Sequence, residues 1–166
     1  MGTIKTILEG LDRLVHFETA YAHCDIPCGI YDPHQAQIGA HTVLRMDMLV
    51  ADATKAGPNM TPDDRNKLIR CIAVKEQHAE MVKHEVRVIW GDYVKPEMAT
   101  PEVHKLVWDI MKAASKAKQD TNIDSAKDLL SKVQQFAEWF WKTKNVSTKR
   151  VKSAYPTNEE IVMPQL

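Results

Sequence analysis

A histidine, two cysteines and a tyrosine crowd one short segment, His23-Cys24-Asp25-Ile26-Pro27-Cys28-Gly29-Ile30-Tyr31-Asp32-Pro33. Two thiols separated by three residues, with an imidazole beside the first, can close on one ion. The ring of Pro27 and the Gly29 that follows Cys28 favour a tight turn over a continuing helix, so both sulfurs can swing toward one point and form a hook. Spacing alone does not choose the occupant. Structural zinc takes four side-chain ligands, and only three are local here. Cys71, the remaining cysteine, sits far along the chain in an apolar helical pattern and reads as a small buried thiol. If the chain were cut between Ala22 and His23, the new α-amino group and the Cys24 amide would join the imidazole and the thiolates. A nitrogen and sulfur set in one plane suits Ni(II) or Cu(II), with an axial imidazole for the oxidised metal. Two other classes use the same dithiol: a nickel or copper chaperone, and a redox protein cycling between Cys24 and Cys28. The redox class usually has two intervening residues and a helix N-terminus at the first thiol.

The elements that must carry this hook are helical. Asp32-Pro33 sets a carboxylate before a proline at a helix start, and the run that follows ends near Gly57-Pro58. Thr61-Pro62-Asp63-Asp64 opens a second helix that reaches Trp90 and stops at Gly91, with Leu68, Ile72, Ala79, Val82, Val86 and Ile89 on one stripe. Thr100-Pro101-Glu102 opens a third, with Val103, Leu106, Val107, Ile110 and Met111 facing inward. The fourth spans about Asn122 to Lys144 and carries Ile123, Leu130, Val133, Phe136 and Phe140. No strand-like alternation competes, and short connections predict an all-α, up-and-down four-helix bundle over 32–144 with the hook, 23–31, at its N-terminus. Trp139, Phe140 and Trp141 are too consecutive to share one face, so at least one is expected to be covered by the tail or by a second subunit. Residues 145–166 lack a periodic stripe, contain Pro156 and Pro164, and read as an extended tail on the bundle or on a neighbour.

Residues 1–22 end in Ala20-Tyr21-Ala22, which imitates a signal-peptidase site. Glu9, Asp12, Arg13, His16 and Glu18 interrupt what would have to be an apolar core, whereas Ile4, Ile7, Leu8, Leu11, Leu14 and Val15 recur at helical spacing. An amphipathic leader fits better. Composition narrows the class further. The chain of 166 residues suits a single domain, and its 22 basic residues balance 22 acidic ones, so nothing argues for nucleic acid. No apolar run approaches the roughly 20 residues that span a bilayer, and three cysteines make no disulfide framework. A soluble, cytoplasmic protein is expected. The rival bundle chemistry, a di-iron site, needs Glu-x-x-His pairs that the chain lacks. Glu80 and His84, with Lys83 alongside, read as a solvated ladder, and His34, His41, His78 and His104 as surface or satisfied core histidines.

The string from His23 to Pro33 resembles the nickel-binding hook of the nickel superoxide dismutases almost letter for letter. Lys75-Glu76-Gln77, Ala79-Glu80, Lys83-His84, Val86 and Trp90-Gly91-Asp92-Tyr93-Val94-Lys95-Pro96 resemble the third quarter of that family's domain, and the likeness covers about His23 to Lys144. It implies a propeptide of residues 1–22, removed after Ala22 by a dedicated peptidase to free the His23 amine. It further implies one nickel ion per subunit, bound by the His23 amine, the Cys24 backbone nitrogen and the thiolates of Cys24 and Cys28, with the His23 imidazole axial in the oxidised state. Anionic sulfur and amide donors bring the Ni(II)/Ni(III) couple into range for converting superoxide to dioxygen and hydrogen peroxide. The resemblance gives Tyr31 a gating and water-ordering role over the open face. It makes Pro27 a candidate cis-proline and implies a homohexamer. Asp25 is expected to order the hook through backbone hydrogen bonds, and Tyr93 to line the approach or serve as an ordinary core tyrosine. In one respect the chain departs from the pattern. Several relatives carry a glutamate at the position of Gly39 and an arginine at that of His78, a pair that orients the axial imidazole.

Overall fold

The computed structural model describes residues 29–166, in which four helices and a two-stranded hairpin follow one another. Helix α1 spans His34–Ala53, α2 Pro62–Val88, α3 Pro101–Gln119 and α4 Ile123–Thr143; β1 is Thr148–Lys152 and β2 Glu160–Pro164. Each boundary has a local cause. The carboxylate of Asp32 accepts the His34 N–H at 2.7 Å and starts α1 one residue later than the proline alone would suggest. After Ala53 the chain tightens into a 3-10 segment, Thr54–Asn59, and leaves it through Gly57 at φ +53. Thr61 and Asp64 form a reciprocal capping box before α2, and Pro62 occupies the first turn. Gly91 does not end the helix as the sequence predicts. The chain widens instead into a π-turn over Ile89–Tyr93.

Helix α1 packs on α2 and α4, and α3 packs on α2 and α4, so sequence neighbours are spatial neighbours and the ring closes as an up-and-down bundle. The core draws Ala36, Ala40, Val43 and Leu44 from α1, Ala79, Val82 and Val86 from α2, Ile110 and Ala114 from α3, and Leu129, Val133, Phe136 and Phe140 from α4. Of the three consecutive aromatics, Phe140 is buried. Trp139 and Trp141 flank it, partly exposed, with ring centroids 5.3 Å from Phe136 and 5.2 Å from Phe140. Among the described residues no helix is long and apolar enough to cross a membrane.

The C-terminal residues differ from the extended tail that the sequence suggests. They fold into an antiparallel hairpin, registered Thr148 to Pro164 and Lys152 to Glu160, and it lies on α1 and α4. Its docking explains why no alternating pattern announces it. Strand β2 meets the bundle along its backbone edge: Gln37 of α1 donates to the Val162 carbonyl at 3.1 Å and accepts the Val162 N–H at 2.8 Å. Those two bonds reproduce what a third strand would supply. The Glu160 carbonyl accepts from Gln134 of α4 at 2.6 Å and from His41 Nε2 of α1 at 3.1 Å. Arg150 of β1 donates to Glu138 through Nε at 2.7 Å and through Nη2 at 3.2 Å, and to Gln134 through Nη1 at 3.1 Å.

Candidate metal centre

The hook side chains His23, Cys24, Asp25, Pro27 and Cys28, the Ala22–His23 junction and the leader 1–22 lie outside the described residues. The structure describes the residues that follow the expected hook ligands. Gly29, the residue after Cys28, has φ +73, a left-handed conformation that glycine adopts without a Cβ penalty. Ile30 is exposed, and Tyr31 turns inward onto Tyr93 with ring centroids 5.6 Å apart at 49°. Tyr93 lies 4.9 Å from Phe140 in the same sense, and Phe140 is fully buried. The Thr143 hydroxyl donates to the Phe140 carbonyl at 2.6 Å, which leaves its oxygen to accept the Tyr93 O–H at 2.7 Å. Lys144 Nζ stands 5.4 Å from the Tyr93 ring and 5.1 Å from Phe140, within cation–π range. Tyr31 therefore heads a ring stack rooted in the core. Tyr93, which the sequence leaves between two roles, is the middle of that stack. It reaches this position because the π-turn at Ile89–Tyr93 carries the chain around by one extra residue.

Nickel fits the donors the sequence provides, since two thiolates with nitrogen neighbours suit a soft, square-planar ion. Among the described residues no group of three or more His, Cys, Asp or Glu side chains could hold a metal. Cys71 is buried and unpaired, as a small core thiol should be. Glu80 pairs with Lys83, Arg87 and Lys118 at 3.9, 3.3 and 3.4 Å, a surface network; although burial opposes it, these cations hold its carboxyl below the ordinary range.

The missing glutamate and arginine have a structural counterpart. Gly39 is buried against α2, and a Cβ there would stand 2.8 Å from Val82 Cγ2, 3.1 Å from Met81 Cε and 3.3 Å from the His78 carbonyl. A glutamate there requires Val82 and Met81 to shift away from α1. His78 donates from Nδ1 to the Val74 carbonyl at 2.8 Å, back along its own helix.

The long-range partners of two polar residues escape sequence reasoning. Lys75 occupies the α2 stripe between Ile72 and Ala79, where a lysine reads as a solvated interruption. It is 1% exposed and stands 3.3 Å from Oδ1 of the equally buried Asp47 of α1, and it donates to the Asp120 carbonyl. Neither Asp47 oxygen accepts a hydrogen bond, and burial raises its carboxyl above the ordinary value even against the pull of Lys75. His41, expected to be a surface or satisfied core residue, is the satisfied kind: its Nε2–H donates to Glu160, and Nδ1 accepts the Thr157 hydroxyl at 2.9 Å. Burial lowers its pKa, with the Glu160 carbonyl and Glu159 acting against the shift. Only the heptad position of Lys75 could have signalled its partner in advance.

Residues 18–144 match the family described as nickel-containing superoxide dismutase. The chain is similar to "Superoxide dismutase [Ni]" of Streptomyces seoulensis, 40% identical over 125 residues that make up 74% of this chain and 88% of that protein. It is likewise 40% identical to the protein of that name from Streptomyces coelicolor, over 76% of this chain and 91% of the relative. Among solved structures, a crystal structure of Ni-containing superoxide dismutase with nickel ligation of the oxidised state superposes with a TM-score of 0.65 at 39% identity, over 74% of this chain and 99% of that one.

Proposed function

The chain belongs to the nickel-containing superoxide dismutase family, and from that premise we propose that the segment His23 to Tyr31 is its metal hook. The enzyme is a nickel-dependent oxidoreductase that converts two superoxide anions and two protons to dioxygen and hydrogen peroxide. Nickel supplies the one-electron cycle between Ni(II) and Ni(III) that links the two half-reactions. The remaining work falls to residues of the chain. The thiolates of Cys24 and Cys28, the Cys24 backbone nitrogen and the His23 amine would hold the ion, and the His23 imidazole would serve as a further donor. Asp25 orders the turn through backbone hydrogen bonds, and Pro27 shapes it. Tyr31 narrows the approach to a small anion and orders water beside it. The observation that carries this reading is the seat of Tyr31 at the hook's base, stacked on Tyr93 and through it on Phe140. Such a seat lets the ring hold its place while substrate and product pass.

Because the amine of His23 exists only in a chain that begins there, residues 1–22 are a propeptide, and a maturation peptidase cuts after Ala22. Thiolate ligands need a reducing compartment, which favours the cytoplasm. A hook this short has little core of its own, so packing against another copy, in a homohexamer, would shield its sulfurs from oxidation. Nickel analysis and a superoxide-dismutation assay test the whole reading when run on the chain beginning at His23 and on the chain retaining residues 1–22. One nickel per subunit with activity confined to the shorter chain is the expected result. Full activity in the longer chain would defeat the amine ligand, and exchangeable metal without activity in either would point to a chaperone.

A further inference from the structure

The family match ends at residue 144, and the β-hairpin of residues 148–164 lies beyond it. The hairpin packs chiefly on α4 and reaches the first two turns of α1 through a few directional hydrogen bonds. Gln37, in the first turn, is 1% exposed and spends both ends of its amide on the backbone of Val162. His41, one turn on, is 3% exposed and holds Glu160 and Thr157. Behind the strand, Gln134 and Glu138 of α4 anchor the same hairpin through Glu160 and Arg150. The irregular stretch from Gly29 to Pro33 leads directly into these two turns from the segment proposed as the hook. On the chain's other side, Tyr31 is seated on Tyr93. The start of α1 is thus gripped twice, by rings at Tyr31 and by an amide clasp at Gln37.

We propose that the C-terminal hairpin is a positioning element for the metal hook, acting through Gln37 and His41 on the helix from which the hook springs. The proposal rests on the hook reading given above. A cover for apolar surface would need only the side chains of Ile161 and Val162, which are buried. The Gln37 amide does something else: it fixes the axial and rotational setting of α1 relative to β2, because both of its bonds are directional and each has a single backbone partner. A metal site depends on such outer supports, whose loss costs about tenfold or more in activity or affinity. In this chain Gly39 leaves no side chain at one supporting position, and the clasp sits half a turn away on the same helix.

The test compares three nickel-loaded enzymes that all begin at His23: the parent, a Gln37→Leu variant, and a chain ending at residue 146. Nickel content, dismutation rate, the electron paramagnetic resonance of the oxidised metal, and amide exchange in residues 34–41 are read for each. The expected result is unchanged nickel content, a rate lowered about tenfold, an altered resonance in both variants, and faster exchange at the start of α1. Combining the two changes should add nothing. Loss of folding in the shortened chain would leave the decision to Gln37→Leu, which keeps every residue of the hairpin. A competent parent whose variants retain both rate and resonance would overturn the positioning role while leaving the hook intact. A parent without nickel or activity would overturn the hook itself and this proposal with it.

Discussion

The two halves of α1 are fastened by opposite chemistry. In the first half, Gln37 and His41 meet backbone groups and a hydroxyl, and these contacts are neutral and matched. In the second half, Asp47 faces Lys75 as a buried charge pair, and its carboxylate accepts no hydrogen bond. A matched neutral clasp sets geometry at little electrostatic cost. A buried pair is a weaker source of stability, because the desolvation of two ions offsets most of their attraction, yet removing one partner strands the other.

That contrast makes Lys75→Met the most damaging single change. It should cost about 3–5 kcal/mol in chemical denaturation by leaving Asp47 charged and alone, whereas Asp47→Leu combined with Lys75→Met should recover most of the loss. A double variant no better than the single one would break the comparison. Gln37→Leu comes next. Stranding the Val162 N–H and carbonyl should lower stability by about 1–3 kcal/mol, a loss that disappears in a chain ending at residue 146. Gly39→Ala is expected to cost a similar or smaller amount, about 1–3 kcal/mol, because Val82 must move to admit the new Cβ.

The pH dependence of the two halves should run in opposite directions. The His41 pKa is lowered, so the folded state binds its proton less readily than the unfolded one. The stability it contributes is present above its ordinary value of 6.5 and is lost as pH falls from there through the lowered value. The Asp47 carboxyl is raised, so its contribution is fullest below the ordinary 3.8 and is lost as pH rises through the raised value. Denaturation series should therefore show wild type losing ground to His41→Gln on acidification and gaining ground on Asp47→Asn. Curves with the same sign would erase the distinction. The smallest effect is expected at His78, whose Nδ1 bond runs to Val74 of its own helix. His78→Ala should change the dismutation rate only modestly, and a loss as severe as that of His23→Ala would restore His78 to the site.

Much of the bundle is legible in the sequence because its signals are local. Thr61-Pro62-Asp63-Asp64 announces a cap that the structure builds atom for atom, and the α4 stripe from Leu130 to Phe140 is the buried face. The proposed hook is read from the sequence as a donor set, and the seat of Tyr31 could be placed only when α1, the π-turn at Ile89–Tyr93 and the end of α4 were assembled around it. What stayed hidden is long-range. Lys75 looks like solvent exposure until Asp47 and the turn at Asp120 surround it. The hairpin carries no alternation because its edge, not its face, meets α1, and the capacity of Gln37 to imitate a strand leaves no mark in hydropathy.

The clasp between Gln37 and Val162 joins positions 125 apart in the chain. During synthesis α1 emerges from the ribosome before the other helices and can pair with α2 long before β2 exists. The bonds that clasp α1 are supplied by residues translated after all four helices. A chain that has completed all four helices but not the hairpin still holds an unclasped α1, so the final setting of that helix waits on residues 148–164.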